Sequence, residues 1–132
     1  MADFRDIVVD CRHPASLARF WAALLDGYDV APYDDAELAR LRARGILDPE
    51  DDPSVLVEAP GRRPRLFFQL VPEGKHGKNR LHLDVTAPNV DAEVERVVAL
   101  GARVLAVHDD DDTRWTTCAD PEGNEFCVFP EG

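Results

Sequence analysis

The stretch 120-DPEGNEFCVFPEG-132 closes the chain and is typical of a turn followed by a strand. An internal match supports this interpretation, because 68-FQLVPEG-74 and 126-FCVFPEG-132 share Phe, Pro, Glu and Gly at corresponding positions. The match places Gln69 opposite Cys127. The chain is therefore predicted to contain a repeat, and Cys127 occupies a repeated position.

A second match lies at the start of each half. Residues 4–11 and 81–85 alternate between apolar and polar side chains, which is typical of a half-covered strand. Each stretch precedes a helical pattern that ends at a glycine, and Pro14 begins the first of these helices. Aligning the two halves in this way places Asp6 opposite His82.

Short strand patterns follow each helix, so that each half predicts the order βαβββ. These strands are predicted at residues 28–32, 54–58, 65–71, 103–107, 114–119 and 125–129. The first half is longer, and a helical stretch with an acidic turn at residues 34–53 accounts for the difference. We predict that this insertion is a surface excursion, and a lid over a pocket is the alternative.

These patterns predict an α+β fold in which one domain, residues 1–132, contains two βαβββ modules. Module one comprises residues 4–72 with the insertion, and module two comprises residues 79–130. The two are expected to form a curved, partly closed mixed sheet with the helices outside.

Composition excludes several classes of function. The formal net charge of −11 disfavours a nucleic-acid partner, and no apolar run is long enough for a membrane span, which favours a cytoplasmic location. The three cysteines lack CxxC spacing, so reduced thiols are expected. Acidic runs such as 109-DDDD-112 are typical of a solvated surface, and they could also attract a cationic ligand.

Strand alternation separates an apolar face from a polar face. Leu81, Leu83, Phe126 and Val128 are expected to pack on helices, while the opposite side chains are polar. The polar set is Asp6, Gln69, His82, Asp84, Glu125 and Cys127. Such a set on a concave sheet could line a pocket or simply meet solvent, and alternation alone leaves both possibilities open.

The duplicated order and three stretches together resemble the vicinal oxygen chelate superfamily, in its glyoxalase-like subgroup. The stretches are 19-RFWAALLDGYDV-30, 72-PEGKHGKNRLHLDV-85 and 120-DPEGNEFCVF-129. The resemblance covers the chain except for the insertion. It is more specific for fold than for chemistry, because the superfamily includes glyoxalases, isomerases, extradiol dioxygenases, fosfomycin-type resistance enzymes and metal-free bleomycin-binding proteins.

The resemblance also implies where a divalent metal would bind. Metal-dependent members carry a ligand on the first and last strand of each repeat, and the corresponding positions here are Asp6, Gln69, His82 and Cys127. Only His82 is of the expected type, and the four do not form a coherent hard or soft ligand set. We therefore expect no tightly bound metal, with a divalent ion held by these four residues as the alternative, and we interpret Cys127 as a pocket residue at a former ligand position.

Two functions follow from the resemblance. The leading hypothesis is a small-molecule-binding protein with a pocket formed by Asp6, Phe67, Gln69, His82, Trp115 and Cys127. Activity as a lyase or isomerase on a substrate with adjacent oxygens would need a metal, or His82 and Asp84 as an acid/base pair. The alternative is a bleomycin-resistance-type protein that sequesters a cationic drug without catalysis. A homodimer is a further expectation, since dimers are frequent in the superfamily.

Overall fold

The computed structural model describes residues 1–110 and 112–132, so Asp111 of the acidic run lies outside the described residues. The chain divides into two units, Met1–Gly74 and Lys75–Gly132, which we call module one and module two. That they form one domain stays a prediction.

Module one has the predicted strand and helix order, with the insertion between its second and third strands. Its elements are β1 (Asp6–Cys11), α1 (Pro14–Leu24), β2 (Asp29–Val30), α2 (Asp35–Ala43), a 3-10 turn (Pro49–Asp51), β3 (Ser54–Glu58) and β4 (Arg65–Leu70). The sheet order is β1-β4-β3-β2, with β1 and β4 parallel and the other pairs antiparallel.

Module two repeats this topology without an insertion. Its elements are β5 (Leu83–Ala87), α3 (Val90–Leu100), β6 (Arg103–Asp109), β7 (Arg114–Ala119) and β8 (Glu125–Pro130). The sheet order is β5-β8-β7-β6, and β5 is parallel to β8. Two open, mixed four-stranded sheets, each with βαβββ connectivity, confirm the predicted α+β fold class.

In each module a helix covers one face of the sheet. In module one, α1 contacts β3 and β4, and Leu17 on the helix and Phe68 on the sheet are fully buried. In module two, α3 lies against β8, where Phe126 and Val128 are fully buried as predicted. Burying one such side chain stabilises the fold by about 1.5–3 kcal/mol, so these faces hold the helices in place.

The helix ends follow from local sequence. Pro14 occupies the first turn of α1, where its missing N–H costs no hydrogen bond. The side chain of Asn89 accepts a hydrogen bond from the backbone N–H of Ala92 at 3.0 Å and caps α3. Gly101 ends α3 at a φ of 123°, a conformation that disfavours side chains with a Cβ. No helix among the described residues is long and apolar enough to cross a bilayer.

The predicted start of the first strand of module two is wrong. Leu81 is 71% exposed and does not pack on a helix, and β5 begins only at Leu83, which is half-buried. The carbonyl of Leu81 accepts a hydrogen bond from the side-chain amide of Asn79 at 3.0 Å. This local bond forms a turn ahead of the strand, so that His82 lies at the mouth of β5 rather than inside it.

The predicted correspondence between Asp6 and His82 is also wrong. The register of the first strand against the last strand gives the correspondence between the modules. In module one Phe68 pairs with Val9, and in module two its repeat counterpart Phe126 pairs with Leu83. If Gln69 corresponds to Cys127, the counterpart of His82 is therefore Val8, and the counterpart of Asp84 is Asp10. Alternation could not detect this error, because a shift of two residues leaves every side chain on the same face.

Candidate functional site

The distal face of module two is the sheet face opposite α3, and a polar row crosses it. Asp84 on β5 pairs with Cys127 on β8, which pairs with Thr117 on β7. The hydroxyl of Thr117 lies 3.5 Å from Sγ of Cys127 and 3.3 Å from Nε2 of His108. These contacts link the polar side chains of four neighbouring strands into one continuous row.

His82 extends this row at its β5 end. Its Nε2 lies 3.2 Å from Oδ1 of Asp84. One ligand atom from each of His82, Asp84 and Cys127 lies within 4.8 Å of the others. The side chains of His82 and Asp84 are 50% and 54% exposed, whereas Cys127 is 6% exposed. Three of the predicted site residues are therefore brought together within module two, and we call them the His82 cluster.

An aromatic stack runs beside the polar row. The rings of His108 and Trp115 are stacked with centroids 3.7 Å apart, and those of Trp115 and Phe129 are stacked 5.0 Å apart. In each pair, the planes of the two rings are inclined by 15° to each other. The partner of Phe129 on β5 is Thr86, which is exposed and carries no ring. Within module two the stack therefore ends at the β5 side of Phe129.

Trp115 was predicted as a site residue, whereas its neighbours His108 and Phe129 were not. All three alternate onto the distal face, so the signal was present in the sequence. Their contact depends on the pairing of β6 with β7, where the register shifts between Val104 and Ala106. Such a bulge cannot be located from alternation alone, because the extra residue changes which side chains face each other.

Module one presents a different arrangement on its distal face, which is the sheet face opposite α1. Asp6 accepts hydrogen bonds from Arg65 at 2.8 and 3.2 Å and forms an ion pair with Arg5 at 3.2 Å. The hydrogen bond from Arg65 is the main cause that lowers the pKa of Asp6. The guanidinium of Arg65 also lies 5.3 Å from the ring centroid of Phe67. Asp6 is thus neutralised by arginine rather than available as a metal ligand.

Within module one, the two residues of the predicted metal set do not lie side by side, and binding of a metal by that set stays a prediction. Asp6 pairs with Arg65, whereas Gln69 pairs with Asp10. Asp6 lies beside Arg65 on β4, and Gln69 is four residues further along β4, a distance of about 13 Å. In this arrangement Asp6 and Gln69 therefore do not both reach one ion. That residues of both modules line one cavity stays a prediction.

The His82 cluster supplies one nitrogen, one oxygen and one sulfur donor. Zinc accepts each of these ligand types, and catalytic zinc sites use three protein ligands with one position left for water or substrate. The donor set of His82, Asp84 and Cys127 therefore fits a zinc-like ion better than magnesium, which prefers oxygen ligands.

A pocket of about 370 Å³ lies within module one. Its lining includes Arg40 on α2, Arg44 directly after α2, Asp52 at the end of the insertion, and Leu56 and Phe67 on the sheet. Leu41 and Asp52 are 1% and 3% exposed and anchor the insertion, whereas most of its other side chains are exposed. The insertion therefore lies mostly at the surface, and several of its residues also line the wall of this pocket.

The comparisons with known proteins agree with this fold. The glyoxalase-like domain family matches residues 6–129, and the chain belongs to this family. The predicted resemblance to the glyoxalase/bleomycin resistance/dioxygenase superfamily is thereby confirmed. No curated protein sequence matches the chain significantly.

Solved structures match almost the whole chain at low identity. A glyoxalase/bleomycin resistance protein/dioxygenase family enzyme from Burkholderia phytofirmans is 16% identical with a TM-score of 0.68, and 98% of each chain is covered. A fosfomycin resistance protein from Listeria monocytogenes is 11% identical with a TM-score of 0.67, covering 100% of this chain and 95% of that one. An antibiotic binding protein from a Streptomyces species is 17% identical with a TM-score of 0.60, covering 100% and 98%. At these identities the similarity shows the fold alone.

Proposed function

We propose that this chain is a small-molecule-binding protein that binds flat, cationic aromatic molecules on the distal face of module two. The observation that carries the proposal is the aromatic stack, which ends at Phe129 beside the exposed Thr86. A flat ring can continue the stack above Thr86, where aromatic stacking contributes about 0.5–1.5 kcal/mol beyond the buried area. Stacking of this kind tolerates a range of ring systems.

The charge preference follows from the neighbour of this position. Asp84 lies two residues from Thr86 on β5, so both side chains are on the same face. Its carboxylate is half exposed and is contacted by the imidazole of His82. A cationic group on the ligand would pair with Asp84, and the net charge of −11 would raise the local concentration of cations.

The structural relatives support binding of drug-like molecules. The Streptomyces relative is an antibiotic binding protein and the Listeria relative is a fosfomycin resistance protein. The proposal corresponds to sequestration without catalysis, as in the bleomycin-resistance-type hypothesis. The cytoplasmic location and the homodimer stay predictions, and sedimentation of the purified chain would test the latter.

The His82 cluster favours catalysis as a second candidate. His82 could accept a proton from a substrate with adjacent oxygens while Asp84 holds the imidazole in place, as in a lyase or isomerase. A divalent ion bound by His82, Asp84 and Cys127 would supply a Lewis acid for such a substrate. In either case the residues of this chain orient the substrate beside Phe129 and keep the thiol of Cys127 largely away from water.

Fluorescence of Trp115 tests the proposal. Proflavine is a planar cation, and acridine is a planar counterpart that is uncharged under mildly alkaline conditions. We expect proflavine to quench Trp115, while Trp21, which is 4% exposed in the core, remains unaffected. Thr86→Trp should abolish quenching because it fills the open end of the stack. Asp84→Asn should weaken it, whereas the exposed Asp110→Asn should not.

Salt dependence and turnover separate the two candidates. Proflavine affinity should fall as salt rises, since the Debye length shrinks from about 10 Å at 0.1 M to about 3 Å at 1 M. Equal quenching by acridine, or none by proflavine, would contradict the binding proposal. Turnover of a hemithioacetal that is lost in His82→Ala would support catalysis instead.

A further inference from the structure

We infer that the pocket of module one is a second ligand site, which binds a small carboxylate with an apolar body and uses Arg44 as the counter-charge. The pocket has a volume of about 370 Å³, within the range of small-molecule sites. It is formed by residues of module one alone, so the inference does not rest on the binding proposed for module two.

The wall of the pocket is fixed by a buried hydrogen-bonded carboxylate. The hydroxyl of Tyr33 donates to Oδ2 of Asp52 at 2.8 Å, and the backbone N–H of Ser54 donates to Oδ1 at 3.0 Å. Asp52 is 3% exposed, and Leu41 anchors α2 with 1% exposure. Because these contacts hold both ends of the insertion, the pocket is formed before any ligand binds.

The remaining hydrogen-bonding capacity determines which ligand fits. Each carboxylate of the lining already has a partner: Asp34 accepts from the backbone N–H of Glu37, Glu37 pairs with Arg40, and Asp52 is bound as described. Among the described residues, no hydrogen bond or ion pair involves the guanidinium of Arg44 or the hydroxyl of Ser54. A ligand must therefore supply acceptors, and a carboxylate matches the planar guanidinium best.

The floor of the pocket selects an apolar body for this ligand. Leu56 and Phe67 are direct partners on β3 and β4 and lie on the distal face of module one. Both are half-buried, so a ligand resting on them would remove further apolar surface from water. A flat monocarboxylate can place its ring on Leu56 and Phe67 and its charged end at Arg44.

The acidic balance of the chain does not prevent anion binding at this position. Charges separated by more than a Debye length, about 8 Å at physiological salt, are largely screened. The lining contributes three carboxylates, each of which already accepts a hydrogen bond, and two arginines, Arg40 and Arg44, of which only Arg40 is paired with a carboxylate. The short-range pair with Arg44 therefore dominates the charge preference of this pocket.

Phenylacetate and its neutral isostere phenylacetamide test the inference by titration of amide NMR shifts on the full chain. We expect phenylacetate to shift the amide signals of Arg44, Ser54 and Leu56, and phenylacetamide to bind about tenfold more weakly. Arg44→Gln should reduce phenylacetate affinity by a similar factor. Arg42→Gln is the matched control, because Arg42 is exposed in the last turn of α2, two residues before Arg44, and does not line the pocket.

Three results would overturn this inference. Phenylacetate could cause no shifts at these amides, phenylacetamide could bind equally well, or Arg44→Gln could behave like Arg42→Gln. Because Arg44 is exposed, its variant should keep the fold, and the unchanged amide spectrum of the unliganded variant verifies this.

Discussion

Nε2 of His82 lies 3.2 Å from Oδ1 of Asp84, although His82 precedes the first residue of β5. The turn at Asn79 and Leu81 directs the chain so that the imidazole reaches the carboxylate beside Cys127. Both polar groups of the pair are half exposed, which makes them accessible to a ligand. The same exposure limits how tightly the cluster can hold an ion, because water competes for the donors of His82 and Asp84.

We predict that cobalt binds the His82 cluster but is lost during gel filtration. Three donors on a half-exposed surface should give an exchangeable complex, and Cys127 should produce a thiolate-to-cobalt charge-transfer band. His82→Ala should remove the band, whereas His76→Ala, an exposed histidine in the preceding loop, should not. Cys127→Ala should also remove it, and Cys118→Ala, on the neighbouring strand, should retain it. Stoichiometric metal after gel filtration would contradict the expectation of weak binding.

Tyr33→Phe is predicted to lower the free energy of unfolding by about 1–3 kcal/mol, because it removes a donor from a buried carboxylate. Asp52 is 3% exposed, so little water can replace the lost hydrogen bond. The control is Glu50→Gln, which breaks an ion pair with Arg19 whose side chains are 56% and 55% exposed. Such exposed pairs contribute little to stability, because water and salt screen both charges. Urea unfolding of both variants measures the difference, and equal losses would argue against a fixed pocket wall.

The ion pair of Asp6 and Arg65 should make stability depend on pH in the acid range. The pKa of Asp6 is lowered from its ordinary value of 3.8, so the folded state favours the ionised carboxylate. The stabilisation is therefore present above that value and is lost as the pH falls through the lower folded pKa. Asp6→Asn should destabilise the chain at neutral pH and much less in strong acid. Asp3→Asn, at an exposed position, is the control, and a pH-independent loss in Asp6→Asn would contradict this account.

The fold could be predicted because its signals are local and repeated. Apolar alternation, a proline at a helix start and a glycine at a helix end each depend on neighbouring residues, and the repeated Phe-Pro-Glu-Gly pattern showed that the order of elements occurs twice. Strand register is not local. The error at Asp6 arose because period-two alternation is unchanged by a shift of two residues.

The site was predicted in part for the same reason. His82, Asp84 and Cys127 lie close together because β5 and β8 are parallel neighbours, and alternation had already placed the three side chains on one polar face. The role of Asp6 could not be foreseen, since its partner Arg65 becomes a neighbour only through the register of β1 and β4. The pocket at the insertion was likewise hidden, because the contact of Tyr33 with Asp52 joins residues at opposite ends of a loop.

The corrected register predicts that a second cluster can be built in module one. Asp10 pairs with Gln69 as Asp84 pairs with Cys127, and Val8, which is 53% exposed, corresponds to His82. The His82→Ala variant lacks the cobalt band of module two. In that variant, Val8→His combined with Gln69→Cys should restore a thiolate-to-cobalt band. Asp6→His combined with Gln69→Cys should not, because about 13 Å of strand separates these two positions. Circular dichroism verifies folding of both variants. A band in the Asp6 variant alone would contradict the corrected register and support the original correspondence of Asp6 with His82.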